Sequence, residues 1–164
     1  MRAEPSATRY QPLRPYSEDR LRSLVRQRAA LPLDPTLDAK VQWVILADDE
    51  PVGWITLDVT DREHAIGGVG YTVRERARGH GSARAALTQL VALAFDPDGV
   101  ALERLEAVVA TSNVASRCVL ERAGFRREGT ARGLPRISGE RLDHERYGLL
   151  RDDWLIQQTR HHQG

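Results

Sequence analysis

The sequence predicts an α/β fold, a mixed sheet flanked by helices in one domain. Three observations predict it. Strand-like and helix-like stretches alternate along 164 residues without an internal repeat. Two β-rich runs, Val41–Leu46 and Val52–Val59, are joined by the polar connection Ala47–Pro51, which suits a hairpin. A helical stripe between Gly81 and Phe95 separates two further runs, the pattern of a strand–helix–strand crossover.

The elements follow in order. Residues 1–9 read as a disordered end. Tyr10–Leu13 is a short strand before Pro15, and Ser17, with Glu18 and Asp19 behind it, opens a helix continued by Leu21, Leu24 and Val25. Pro32 and Pro35 make Leu31–Thr36 an irregular loop near the binding region. Ala65–Val73 is a third strand of the sheet, antiparallel to the second if Thr60–His64 turns tightly. Gly67, Gly68 and Gly70 within it signal a bulge or the close approach of a ligand. Ala83, Ala86, Leu87, Leu90, Val91 and Ala94 recur at helical spacing, and Asp96–Gly99 ends that helix. Leu105–Val109 is expected parallel to Ala65–Val73. Asn113 caps a helix over Val114–Ala123, and Gly124 supplies a left-handed residue at its end. Phe125–Arg132 and Asp143–Leu150 complete the sheet. The domain is expected to span residues 10–155, leaving 156–164 as a loose tail.

Composition excludes several classes of function. Lys and Arg total 24 against 23 acids, a net charge of +1, so no global field recruits nucleic acid or an anionic membrane. No apolar run reaches the roughly 18 residues of a membrane span, and Met1–Tyr10 lacks the apolar stretch of a secretory signal. A cytoplasmic location is expected. The sole cysteine, Cys118, has no CxxC companion, and His161 and His162 are too few for a site, so no metal is expected. With no His at helical spacing to activate it, Cys118 reads as a packed core residue rather than a nucleophile.

The informative segment is Val69–Leu87. A strand runs through Arg74, Glu75, Arg76, Ala77, Arg78, Gly79 and His80 into the helix that begins near Gly81. Glycines let the backbone approach an oxyanion, and the amides and dipole of a helix start favour negative charge there. Arg74, Arg76, Arg78 and Arg84 against the single acid Glu75 make the turn locally positive. No Lys follows either glycine, which excludes an ATP- or GTP-hydrolysing cradle. The run from Gly79 to Arg84 lacks the third small residue of a dinucleotide fingerprint, and strands precede it.

Arg78, Gly79, His80, Gly81, Ser82 and Ala83 satisfy R-x-x-G-x-A, with R-x-x-G-x-G overlapping from Arg76 to Gly81. This resembles the acyl-CoA cradle of the GNAT superfamily of N-acetyltransferases. Asn113, Ser116, Leu120, Gly124, Phe125, Glu128 and Gly129 are similar to the branch containing the ribosomal-protein alanine N-acetyltransferases. The resemblance covers roughly Trp43–Trp154. It implies a largely antiparallel sheet of six to seven strands, splayed at its central parallel pair, with acetyl-CoA as co-substrate. The pantetheine would bond the main chain of Tyr71, Thr72 and Val73. The diphosphate would sit among Arg76, Arg78, Gly79, His80, Gly81, Ser82 and Ala83. Asn113 would bond the pantetheine or the backbone beside it, a role compatible with a plain helix cap.

The resemblance also implies catalytic roles. Main-chain N–H groups of a bulged Val69–Tyr71 would stabilise the oxyanion. Ser116 would protonate the departing sulfur, where other branches use a Tyr at the position of Leu120; its alternative is a helical serine bonding back to a carbonyl. The carboxylate that relatives carry falls on Gly68 here, and another falls among Leu134, Pro135 and Arg136. Glu106 is then the candidate base, because flanking Leu105 and Ala107 would raise its pKa; the alternative is a sheet-face charge paired with an Arg. Asp143, His144 and Glu145 come next, or form a solvated turn. Trp54 would wall an acceptor pocket.

The function expected is transfer of an acetyl group from acetyl-CoA to a primary amine, such as a protein N-terminus, by direct attack in a ternary complex. An alternative acceptor is a polyamine or aminoglycoside, for which Asp34, Asp38, Asp48, Asp49, Glu50, Asp58, Asp61 and Glu63 offer acids. A third reading is a non-catalytic acyl-CoA sensor. The chain is expected to be a monomer or homodimer without nucleic-acid or membrane partners.

Overall fold

The structure is a computed structural model that describes residues 40–137 and 140–161, together with Asp19 and Ser23, which are helical. The expected strand at Tyr10–Leu13, the loop at Leu31–Thr36 and most of the first helix lie outside the described residues. Among the described residues six strands form one sheet in the order β1-β2-β3-β4-β6-β5. They are β1 (Lys40–Ala47), β2 (Glu50–Asp61), β3 (Ile66–Val73), β4 (Arg104–Ala110), β5 (Arg126–Ile137) and β6 (Glu140–Leu150). All neighbours pair antiparallel except β3 and β4.

The β1–β2 connection is tighter than expected. Asp48 and Asp49 both adopt positive φ, 51° and 62°, the backbone of a two-residue hairpin whose twist matches the flanking strands. The β2–β3 turn closes through the Ala65 amide, which donates to the Arg62 carbonyl at 3.2 Å. Asp61 buttresses this turn, accepting from the His64 amide and meeting its Nδ1, each at 2.9 Å. Those bonds hold the Asp61 carboxyl below its usual range.

The bulge expected at Val69–Tyr71 is absent. From Gly53↔Val73 to Val59↔Gly67 the pairing is regular, and the shift falls between Val59 and Asp61, at the turn. The β3 glycines answer different needs. A Cβ on Gly67 would meet Leu102 Cδ1 at 2.6 Å, whereas none of the surrounding atoms lies within 4 Å of one on Gly70.

Side chains alternate across the sheet, so Ile55, Leu57, Leu105, Ala107, Tyr147 and Leu149 share a face and are buried. Helix α1 (Ser82–Phe95) lays Leu87, Leu90, Val91, Ala94 and Phe95 on that face, as its apolar spacing predicts. Burying each such large side chain contributes about 1.5–3 kcal/mol relative to exposure. Helix α2 (Val114–Arg122) follows β4, and α3 (Arg151–His161) follows β6 directly. The expected loose tail is therefore helical as far as His161. Asp152 and Asp153 favour its N-terminus, Trp154 lies 5.7 Å from Phe95 between ring centroids, and Gln157 Nε2 donates to the Gly124 carbonyl at 3.5 Å.

Candidate active site

The parallel pairing of β3 with β4 is short: Ile66↔Arg104, Gly67↔Leu105 and Gly68↔Glu106. Beyond Gly68 the strands part, β3 pairing on with β2 to Val73 and β4 with β6 to Ala110. The sheet splays at its centre. Each lip of the splay then runs into a helix start, α1 after β3 and α2 after β4.

At the first helix start, the Arg74 amide donates to the Val52 carbonyl at 2.8 Å, and Glu75–Ala77 makes one 3₁₀ turn. Arg78 Nε donates to the Val73 carbonyl at 3.1 Å, folding the turn back on the strand it left. Gly79 and Gly81 then take φ of 81° and 83°, left-handed conformations that cost other residues about 1–2 kcal/mol. Gly81 is the N-cap of α1; no side chain caps this end, and no acid stands in its first turn. Apart from the chain neighbours, no atom of the described residues lies within 4 Å of the position a Cβ would take on either glycine. Arg76, Arg78, Gly79, His80 and Gly81 are exposed, and Ser82 and Ala83 half-buried. An open helix N-terminus with basic neighbours is chemically suited to a diphosphate, so these residues fit the phosphate end of a coenzyme.

At the second helix start, Asn113 caps α2 as expected: its Oδ1 accepts from the Ser116 amide at 3.2 Å. Ser116 also meets a side chain from across the splay. Tyr71, on β3, places its Oη 2.9 Å from Ser116 Oγ and 3.0 Å from the Ser116 carbonyl oxygen, with one phenolic proton to serve both. Burial pushes the Tyr71 phenol up to about 12, against the opposing pull of the serine hydroxyl. Nothing local in the sequence links two positions 45 residues apart. The only hint is that Tyr71 alternates with Val69 and Val73 on the face that turns towards the helices.

Glu106 stands opposite Gly68, in the last pair before the splay. The apolar enclosure expected around it is not formed. Its side chain is 47% exposed and its Oε1 accepts from Arg104 Nε at 2.9 Å, the sheet-face ion pair that was the alternative. Leu105 and Ala107 point to the opposite, buried face, because adjacent strand residues alternate.

Asp143, His144 and Glu145 are not a solvated turn either, since they lie within β6. Glu145 is buried, with Arg117 Nε at 2.8 Å, Arg127 Nε at 3.1 Å and a hydrogen bond from the Tyr147 hydroxyl at 3.0 Å. Its carboxylate thereby ties α2 and β5 to β6. His144 is buried too, its Nδ1 2.9 Å from the Leu142 carbonyl, and Asp143 accepts from the Gly133 amide at 2.8 Å. Cys118 is exposed rather than packed in the core. It lies two residues, about 200° of helical rotation, from Leu120, the buried residue of α2. Trp54 is half-buried on the face of β2 away from Ile55 and Leu57.

The acids that a cationic acceptor would need do not gather among the described residues. Asp58 pairs with Lys40 at 2.6 Å, Asp61 with His64, and Asp48, Asp49 and Glu50 lie at the β1–β2 hairpin. No described helix is long and apolar enough to cross a membrane.

Residues 1–126 match the model of the acetyltransferase (GNAT) domain family. YdaF of Bacillus subtilis, named as a candidate ribosomal N-acetyltransferase, is 33% identical over 110 residues, 67% of this chain. The match spans 59% of the length of YdaF. Among solved structures, a spermidine N-acetyltransferase from Vibrio cholerae in complex with CoA and spermine superposes with a TM-score of 0.78, at 20% identity over 94% of this chain and 88% of that one. The ribosomal-protein-S5-alanine acetyltransferase from Vibrio fischeri superposes with a TM-score of 0.75, at 24% identity over 93% and 84%. At such identities these two structures establish the shared fold.

Proposed function

The chain belongs to the GNAT acetyltransferase family, and from that premise we propose that it transfers an acetyl group from acetyl-CoA to a primary amine, a protein N-terminus, by direct attack within a ternary complex. One observation carries the reading: the uncapped, glycine-built start of α1 lies at the end of a strand that has just parted from its parallel neighbour.

In this reading Arg76, Arg78, Gly79, His80, Gly81, Ser82 and Ala83 hold the diphosphate. The main chain of Tyr71, Thr72 and Val73 receives the pantetheine as an added strand, with Asn113 beside it. Bound there, acetyl-CoA supplies an activated thioester carbonyl. With no bulge, the main-chain amides of Val69–Tyr71 that point to the edge β4 has left, rather than to β2, are the proposed donors to the developing oxyanion. Ser116 is the proposed proton donor to the departing sulfur, a role that contributes about 10²-fold or more to rate. Glu106, at the root of the splay, is the proposed proton acceptor for the attacking amine, working through water because Arg104 engages its carboxylate directly.

Asp34 and Asp38 lie outside the described residues; among the described ones the scattering of the acids favours a protein N-terminus over a polycation, because a polyamine needs several carboxylates converging on it. The test is thiol release from acetyl-CoA by the full chain, offered peptides with a free N-terminal alanine, spermidine, an aminoglycoside, or no amine. Turnover with the peptides well above the amine-free rate is expected. Faster turnover of spermidine would replace the acceptor, and CoA binding without acceleration by any amine would leave a sensor.

A further inference from the structure

We infer that Tyr71 is a positioning residue for the Ser116 hydroxyl, holding it so that its proton points into the splay; this rests on the reading of Ser116 as proton donor. A serine hydroxyl has one proton, and on a helix it commonly gives it to a carbonyl one turn back. A serine so engaged has nothing to donate. The Tyr71 hydroxyl, reaching from β3 across the gap, lies within bonding distance of both Ser116 Oγ (2.9 Å) and the Ser116 carbonyl (3.0 Å). The phenol has one proton for these two acceptors: given to Oγ, it fills an oxygen lone pair and leaves the serine proton to be directed into the splay, whereas given to the carbonyl it would make Oη the acceptor of the serine proton, so the positioning role requires the first arrangement. The Asn113 cap fixes the backbone from which that hydroxyl projects. Tyr71 lies on β3 and Ser116 on the helix that follows β4, so their bond links the two sides of the splay.

The proton balance closes without an outside reagent. As the C–N bond forms and the C–S bond breaks, the Ser116 Oγ–H proton passes to the sulfur. The Tyr71 hydroxyl hydrogen-bonds the serine oxygen while that proton departs, so no free alkoxide has to form. The proton lost by the acylated amine passes through water to Glu106, and exchange with water returns a proton to the serine. A phenol that ionised readily would lose its own proton; the upward shift of the Tyr71 phenol fits a group that only donates a hydrogen bond.

The test compares Tyr71→Phe, Ser116→Ala and the double variant by thiol release from acetyl-CoA, with the alanine-starting peptide and with water alone as acceptor. Tyr71→Phe keeps the ring and the main chain and removes the bridge. A fall in kcat of about tenfold with an unchanged KM for acetyl-CoA is expected, the size of one oriented hydrogen bond. Ser116→Ala should fall about 100-fold, and the double variant should be no slower than Ser116→Ala, because the tyrosine acts only through the serine. Ser116→Thr, which keeps a hydroxyl, should retain most of the Tyr71 dependence. Wild-type kcat in Tyr71→Phe beside a slow Ser116→Ala overturns the inference alone, as does additivity or a raised KM at unchanged kcat. Ser116→Ala at the wild-type rate overturns the reading beneath it.

Discussion

Arg104 clasps Glu128 bidentately, Nη1 to Oε1 at 3.0 Å and Nη2 to Oε2 at 2.5 Å, reaching from β4 to β5 over the intervening strand β6. The clasp crosses above Gly148, where a Cβ would lie 2.3 Å from Glu128 Oε1 and 2.8 Å from Arg104 Nη2. Gly148 is therefore the gap through which the pair closes. The colliding atoms are the far ends of flexible side chains, so Gly148→Ala should displace the pair and leave the strands. With both groups partly in solvent, a loss below about 1 kcal/mol is expected. Arg104 holds the Glu128 carboxyl below its usual range, so the pair's contribution is present above the unfolded carboxylate range and is lost as pH falls through the depressed value. Urea unfolding of wild type and Gly148→Ala at neutral pH and in acid should show the difference shrinking in acid. A constant difference would assign the cost to the strand backbone.

Gly53 and Gly70 make a contrasting pair on adjoining strands. A Cβ on Gly53 would stand 2.3 Å from the Thr72 carbonyl oxygen, an atom held by the sheet, whereas Gly70 has open space. Gly53→Ala should cost about 1–3 kcal/mol, the range for forcing atoms into a packed site. Gly70→Ala should be near neutral. Denaturation midpoints of the two variants check this, and equal midpoints would contradict it.

Gly81→Val tests the proposed diphosphate cradle. A β-branched side chain there would occupy the open space before the α1 amides and would have to adopt a φ of 83°. A stability loss of about 1–2 kcal/mol is expected, together with loss of CoA binding by calorimetry at a temperature where the variant is folded. Wild-type affinity would move the cradle elsewhere.

The buried phenols predict an alkaline limit. Tyr71 and Tyr147 are each pushed up to about 12, chiefly by burial, from about 10 in the unfolded chain. The folded state thus holds protons that the unfolded state releases between these values. The resulting stability is intact below pH about 10 and is lost as pH rises towards 12. Tyr71→Phe should flatten the fall in denaturation midpoint over that window; an unchanged slope would show that this phenol does not contribute.

Much of the fold is legible in the chain because its signals are local. The α1 stripe, the Asn113 cap, the left-handed Gly124 and the Gly79–Gly81 turn each depend on residues within a few positions of one another, so spacing and residue type decide them. What depended on register was not legible. Whether Glu106 would be enclosed or paired turned on which face of β4 it occupies and on Arg104 two residues away. The burial of Glu145 turned on two arginines brought from α2 and β5, and the exposure of Cys118 on the rotation of α2. The bridge from Tyr71 to Ser116 joins β3 to the helix that follows β4, and those two strands touch over three residue pairs and then separate. Sequence alone determined that a glycine-built helix start follows a strand, since a backbone conformation needs only its neighbours. Tertiary structure alone decided which hydroxyl, carboxylate and arginine meet, since such contacts exist only once strands distant in the chain have been brought into register.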